Sequence, residues 1–229
     1  MRPYPIGNGS LAPRIPSEIA ALMDALQFRG ANTDALLQLE RKDWEKLLNF
    51  CDFAHLTLAL AQAASCDFPT WVIRRLEKNV ADNTLRFERV KASYREATRA
   101  LEEAQVEHVV LKGFAQAPDY VKSPRLRMQG DLDLYVLREQ IANGQKALEQ
   151  IGYASVDGID YQGADHTPTL NRTGNWKWNG NMFDPDMPVS VELHFCLWND
   201  CTSLIKLNDF EKFWGRRITR SLTISLSHL

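Results

Sequence analysis

From near Pro69 to near Gln105, apolar residues recur at helical spacing: Trp71, Ile73, Leu76, Val80, Leu85, Phe87, Val90, Tyr94, Ala97 and Leu101. Arg and Glu residues fill the positions between them. A stripe of this length predicts one long helix with a buried face and a solvated charged face. Such a helix needs partners for its stripe, which constrains everything packed around it. Before it, Ile19-Ala20-Leu22-Met23-Leu26 and then Trp44-Leu47-Leu48-Cys51-Leu56-Leu60 show the same period, with Ser17 placed as an N-cap for the first.

After Gln105 the pattern changes to short strands. His108 to Lys112 reads as a buried strand ending at Gly113, and Leu132 to Val136 as a second. Arg138 to Ile151 suits a helix stopped by Gly152, and Val189 to Phe195 alternates as a third strand. The stretch from Asp157 to Pro188, rich in Gly, Asn, Asp and Pro, reads as a long functional loop or an excursion with short strands around His166 to Leu170. The expected organisation is a helical region over residues 1–105 followed by an α/β (α+β) core over 106–229.

With 45% hydrophobic and 24% charged residues, the chain is an ordinary globular sequence. Its formal charge of −2 gives no global positive field for duplex DNA or an anionic membrane. Its first residues lack the apolar run of a signal peptide, and Leu56 to Ala64 is too short to span a bilayer, so a cytoplasmic location is expected. Cys51, Cys66, Cys196 and Cys201 lack the paired spacing of a zinc site and are read as buried free thiols.

The residues that carry chemistry begin with Gly130-Asp131-Leu132-Asp133-Leu134. On a strand, Asp131 and Asp133 share one face while Leu132 and Leu134 face the core. Two neighbouring carboxylates repel each other and raise one pKa, a cost that a divalent cation removes. The metal-free fold is therefore expected to tolerate Asp133→Asn or gain from it. The competing reading is a strand edge blunted by acids. In the third strand Glu192 and His194 share a face opposite Val191, Leu193 and Phe195, so three carboxylates meet if the two strands are neighbours. Oxygen ligands of this kind suit Mg²⁺ or Mn²⁺. His194 is read as a hydrogen-bonded structural group with no proton-transfer role.

At Lys112-Gly113 a strand ends in a glycine turn, which lets backbone N–H groups approach a phosphate. Lys112 adds a charge, although many strands end this way. Arg127 reads equally as a triphosphate contact or as an anchor for its loop, with Arg125 a weaker candidate. His166 either faces the cleft or supports a turn. Trp176 and Trp178 form either an aromatic platform for a base or sugar, or packing for the long loop.

In their order, Val109-Val110-Leu111-Lys112-Gly113, Tyr120, Arg125, Arg127, Gly130-Asp131-Leu132-Asp133-Leu134 and Glu192-Leu193-His194-Phe195 resemble the uncharacterised nucleotidyltransferase family of the polymerase-β-like superfamily, over roughly residues 40 to 215. The resemblance implies a short mixed sheet with helices on one face. It also implies Mg²⁺- or Mn²⁺-dependent transfer of AMP or another NMP from an NTP donor such as ATP, with pyrophosphate released. By this likeness Asp131 and Asp133 are the metal-binding pair, Glu192 is the third carboxylate, and Lys112 and Gly113 stand at the superfamily's glycine-serine turn. The acceptor, whether small molecule, protein or RNA, is not specified. Phe114 replaces the serine, Pro118 predicts a kinked or late helix after Gly113, and the chain closes soon after Ile218. These features define an alternative: a truncated or degenerate relative that binds nucleotide or a protein partner without turnover.

Overall fold

The computed structural model describes residues 15–116, 120, 124–155, 164–172, 174–197 and 211–219. The chain forms two compact units, Met1–Val80 and Ala81–Leu229. The division falls inside one long helix, Thr70–Glu103, because the two ends of its apolar stripe serve different cores.

In the first unit, α1 (Ser17–Ala25), α2 (Asp34–Leu37), α3 (Arg41–Phe53), α4 (Thr57–Ala63) and the start of α5 (Thr70–Glu103) surround Leu22, Leu36, Trp44, Leu47, Leu48, Cys51, Leu60, Phe68, Val72 and Leu76. Ser17 does not cap α1: Pro16 occupies the N-cap, and its carbonyl accepts the N–H groups of Ile19 and Ala20 at 3.0 Å. The stripe from Trp44 to Leu60 is two helices rather than one. At the end of α3, His55 adopts φ 60°, Leu56 N–H donates to the Cys51 carbonyl at 2.8 Å and His55 N–H to that of Asp52 at 3.3 Å. This paired left-handed closure reverses the chain before α4.

Among the described cysteines, Cys51 is buried, Cys66 exposed and Cys196 intermediate, which corrects the expectation of uniform burial; Cys201 lies outside the described residues. Burial, with Asp52 beside it, pushes the Cys51 thiol up to about 12. A thiol reagent at pH 8, followed by peptide mapping, should therefore modify Cys66 in the folded chain and Cys51 only after denaturation. Equal labelling of both would contradict the burial of Cys51.

The second unit holds a five-stranded mixed sheet in the order β1-β2-β5-β4-β3, formed by β1 (His108–Val110), β2 (Asp131–Val136), β3 (Tyr153–Ser155), β4 (Leu170–Arg172) and β5 (Ser190–His194). Only β2 and β5 run parallel; the other pairs are antiparallel. The helices α5 and α6 (Ile141–Gln150) contribute Phe87, Val90, Ala97, Leu101, Ala147 and Leu148 to a core shared with Leu132, Leu134, Val136, Val191 and Leu193 of the sheet. At Gly144 a Cβ would stand 3.3 Å from Leu193 and 3.4 Å from Leu101, so this glycine lets α6 approach β5 closely.

The α+β architecture expected from the sequence is thus present. The left-handed closure seen after α3 also ends α5: Gln105 has φ 57°, and Val106 N–H reaches the Leu101 carbonyl at 2.8 Å. Gly152, at φ 91°, stops α6 as expected. The predicted first strand is shorter, ending at Val110, although Leu111 N–H still donates to the Asp133 carbonyl at 3.0 Å. Gly113–Gln116 is one 3-10 turn, and Pro118 lies outside the described residues. No helix among the described residues is long and apolar enough to cross a membrane.

Candidate active site

Parallel pairing of β2 and β5 sets Asp133 opposite Glu192, Asp131 opposite Ser190 and Tyr135 opposite His194. Residues in register on neighbouring strands share a face, so Asp131, Asp133, Glu192 and His194 all lie on the side of the sheet away from the Leu132, Leu134, Val191 and Leu193 core. The structure therefore brings Asp133 and Glu192 together as the alternation required. It also places Lys112 beside them, with Nζ 2.9 Å from Asp133 Oδ1.

Asp133 is 4% exposed, and the same Oδ1 lies 2.9 Å from His194 Nε2. Burial pushes its carboxyl up, but hydrogen bonds from His194 and Lys112 outweigh that and hold it below the usual carboxylate range. Asp131 behaves oppositely: burial, then the charges of Asp133 and Glu192, raise its carboxyl. The repulsion anticipated for the pair thus falls on Asp131. This corrects the expectation for Asp133→Asn, because Asp133 is stabilised by two partners.

Glu192 accepts a hydrogen bond from Thr169 Oγ1 at 2.8 Å, and its other oxygen lies 3.8 Å from His194 Nε2. His166 bridges to His194 in antiparallel fashion and packs ring to ring at 5.0 Å. It therefore lies beside Glu192 and His194, with Nδ1 4.0 Å from Glu192 and 2.6 Å from the Thr167 carbonyl. Asp133, Glu192 and His194 each offer a ligand atom, all within 4.8 Å of one another, a donor set able to hold a divalent cation. Asp131 stands one alternation away on the same face, outside that group. On the Tyr135 side of the same face, Val109, Leu111, Tyr135, Leu197, Phe213, Trp214 and Arg217 line an apolar cavity of about 180 Å³ beneath α7 (Glu211–Gly215).

Gly113 has φ 54°, and a Cβ there would meet the Gln129 side-chain amide at 2.2–2.7 Å. That amide donates to the Asp131 carbonyl at 3.0 Å, so the turn packs directly against the entry to the acidic strand. Gly113→Val should therefore disturb the turn in the absence of any nucleotide, costing about 1–3 kcal/mol from the left-handed backbone. Gly113→Ala should cost less, and nucleotide affinity should fall more than metal affinity in both. Unchanged denaturant stability in Gly113→Val would contradict the packing argument.

Arg125 is committed elsewhere: its guanidinium contacts Glu88 at 3.1 Å, and its carbonyl accepts from Asn83 at 2.5 Å. Arg127 is half-buried and forms no side-chain ion pair or hydrogen bond with a described residue. In the long loop, the Trp176 indole donates to Asp184 at 2.9 Å and meets Trp178 edge-on, with ring centroids 6.2 Å apart and Trp178 outermost.

Three supporting residues carry no signal of their own in the sequence: Gln129, Thr169 and Arg86. Arg86, 1% exposed on α5, donates to the carbonyls of Gln129 at 3.1 Å, Gly130 at 3.3 Å and Met187 at 2.7 Å. It pins the segments that lead into both carboxylate strands. Within the pattern of α5 it is one more charge among many, and its burial follows only from the tertiary position of those loops.

The model of the family described as "Uncharacterised nucleotidyltransferase" matches residues 40–228, and the chain belongs to that family. Neither the curated proteins nor the solved structures gave a match.

Proposed function

We propose that this chain transfers a nucleoside monophosphate from an NTP to a nucleophile on an acceptor, with Asp131, Asp133 and Glu192 holding divalent metal and Lys112, Gly113 and Arg127 addressing the triphosphate. The observation that carries this reading is the in-register pairing of Asp133 with Glu192 beside the Lys112–Gly113 turn. In the reaction the acceptor oxygen forms a bond to the α-phosphorus, the bond from that phosphorus to the bridging oxygen breaks, and pyrophosphate leaves while the acceptor proton passes to solvent. A divalent cation supplies charge neutralisation for the triphosphate and the leaving group when bound.

The side chains have distinct tasks. Asp133 is kept ionised by Lys112 and His194 and is ready to ligate. Glu192 is oriented by Thr169. The Lys112 side chain is 59% exposed, so its ammonium can leave Asp133 and turn toward phosphate oxygens. Arg127 brings a guanidinium with no competing partner among the described residues. The apolar cavity beside Tyr135 would take the least polar part of a substrate.

The test is incubation of the purified chain and cell extract with each α-labelled NTP plus Mg²⁺ or Mn²⁺. Label appearing on protein, RNA or a small metabolite names the acceptor class, and Glu192→Gln should abolish it. One observation favours a second reading, a relative that binds without turnover: Phe114 packs on Tyr94 at 5.2 Å and Phe87 at 5.8 Å, so the position after the glycine is spent on the core. Nucleotide-dependent stabilisation with no labelled product would select that reading.

A further inference from the structure

We propose that the cation taken by this site is a divalent transition-metal ion, Mn²⁺ or a later ion such as Zn²⁺, with His194 as a nitrogen ligand beside Asp133 and Glu192, in place of an all-oxygen Mg²⁺ site. The inference rests on the metal-dependent reading above and deepens it.

His194 Nε2 is directed between the carboxylates, 2.9 Å from Asp133 Oδ1 and 3.8 Å from Glu192 Oε2. Ligands held at about 2.0–2.2 Å from one ion lie at most about 4.4 Å apart, so a donor set already within 4.8 Å needs only a small contraction. The imidazole is 5% exposed and packs against the His166 ring at 5.0 Å while it holds Asp133, which leaves it little room to swing away. An Mg²⁺ ion prefers an octahedron of oxygens and retains several waters, whereas first-row transition ions bind imidazole, Mn²⁺ the least strongly of them and Zn²⁺ well.

The surroundings match an outer shell. Thr169 orients Glu192 by a hydrogen bond at 2.8 Å. His166 Nδ1, the nitrogen that lies 4.0 Å from Glu192, is 2.6 Å from the Thr167 carbonyl and so is taken by the backbone, and the nitrogen that falls within 4.8 Å of both carboxylates is that of His194. The Lys112 ammonium occupies the cation side of Asp133 Oδ1 from an exposed side chain, and a metal ion would replace its charge there.

Electron spin-echo spectra of the full chain loaded with Mn²⁺, together with calorimetric titrations of Mg²⁺ and Mn²⁺, test this without any turnover. Nitrogen-14 modulation is expected in wild type and in His166→Gln, and its loss in His194→Gln. Wild type should bind Mn²⁺ at least about ten-fold tighter than Mg²⁺, and His194→Gln should remove most of that preference. The wild-type spectrum decides the matter even where the variant fails to fold. Bound Mn²⁺ without nitrogen modulation overturns His194 as a ligand while leaving a carboxylate site intact. Failure to bind either ion, with or without a non-hydrolysable NTP, overturns this inference and the proposed function together.

Discussion

On the proposed function, Asp133→Asn is expected to lower nucleotidyl transfer by about 10³-fold or more, since it would remove a charged metal ligand that supplies several kcal/mol of charge stabilisation. The same substitution should also weaken the metal-free fold by about 1–3 kcal/mol, because a buried carboxylate with two charge-assisted hydrogen bonds is replaced by a neutral amide. Lys112 is the more exposed partner and contributes the smaller share. Melting curves with and without Mn²⁺ and NTP, combined with a transfer assay, separate the two effects. Full transfer by Asp133→Asn would remove this residue from the proposed machinery.

Asp131→Asn should behave differently in the absence of metal. The raised carboxyl of Asp131 means that the folded chain holds this proton more tightly than the unfolded chain. Stability is therefore lost as pH rises from the ordinary Asp range through the raised value, and the Asn variant should escape that loss. Asp133, whose carboxyl is depressed, has the opposite sign: its contribution is present above the ordinary range and disappears as pH falls through the lowered value. Stability measured from acid to neutral pH should thus show Asp131→Asn gaining on wild type and Asp133→Asn falling behind it.

Much of this site was legible because strand alternation is a strict geometric rule. Asp131 and Asp133 on one face, and Glu192 with His194 on another strand's face, follow from period two alone, and so does the burial of Leu132, Leu134 and Leu193. The long helix was legible for the corresponding reason at period 3.6. Alternation carries no information about which carboxylate finds partners, however. The tying of Asp133 to Lys112 and His194, which shifts the repulsion to Asp131, depends on a parallel register between strands more than fifty residues apart. Short elements were equally hidden: β3 has three residues, too few for a period, and the break after α3 relies on His55 entering a conformation more usual for glycine.

Arg86→Met is expected to cost about 3 kcal/mol or more of stability, since each of three buried carbonyls left without its donor costs roughly 1–3 kcal/mol, a larger structural effect than that of Asp133→Asn or Gly113→Val. Methionine matches the length of the stem but leaves the carbonyls of Gln129, Gly130 and Met187 without their donor in a buried setting. Burial pulls the Arg86 guanidinium below its ordinary range while the charges of Asp184 and Asp131 pull it back up, so the cation is held against desolvation by its surroundings. Arg86→Lys should recover only part of the loss, since one ammonium cannot reproduce a planar fork that reaches two separate segments. Arg89→Ala makes the control. Its ion pair with Asp186 joins the same helix to the same loop, but both side chains are more than half exposed, so its removal should cost at most about 1 kcal/mol. Urea unfolding of the three variants gives the comparison directly, and Mn²⁺ affinity under folded conditions adds a second readout. Arg86 braces the residues immediately before Asp131 and the segment just before β5, so Arg86→Lys should bind metal more weakly than Arg89→Ala even where both are folded. If Arg86→Met unfolds at the same urea concentration as Arg89→Ala, the three buried carbonyl bonds do not hold the strands in place, and the alignment of Asp133 with Glu192 has to be maintained by the β2–β5 ladder alone.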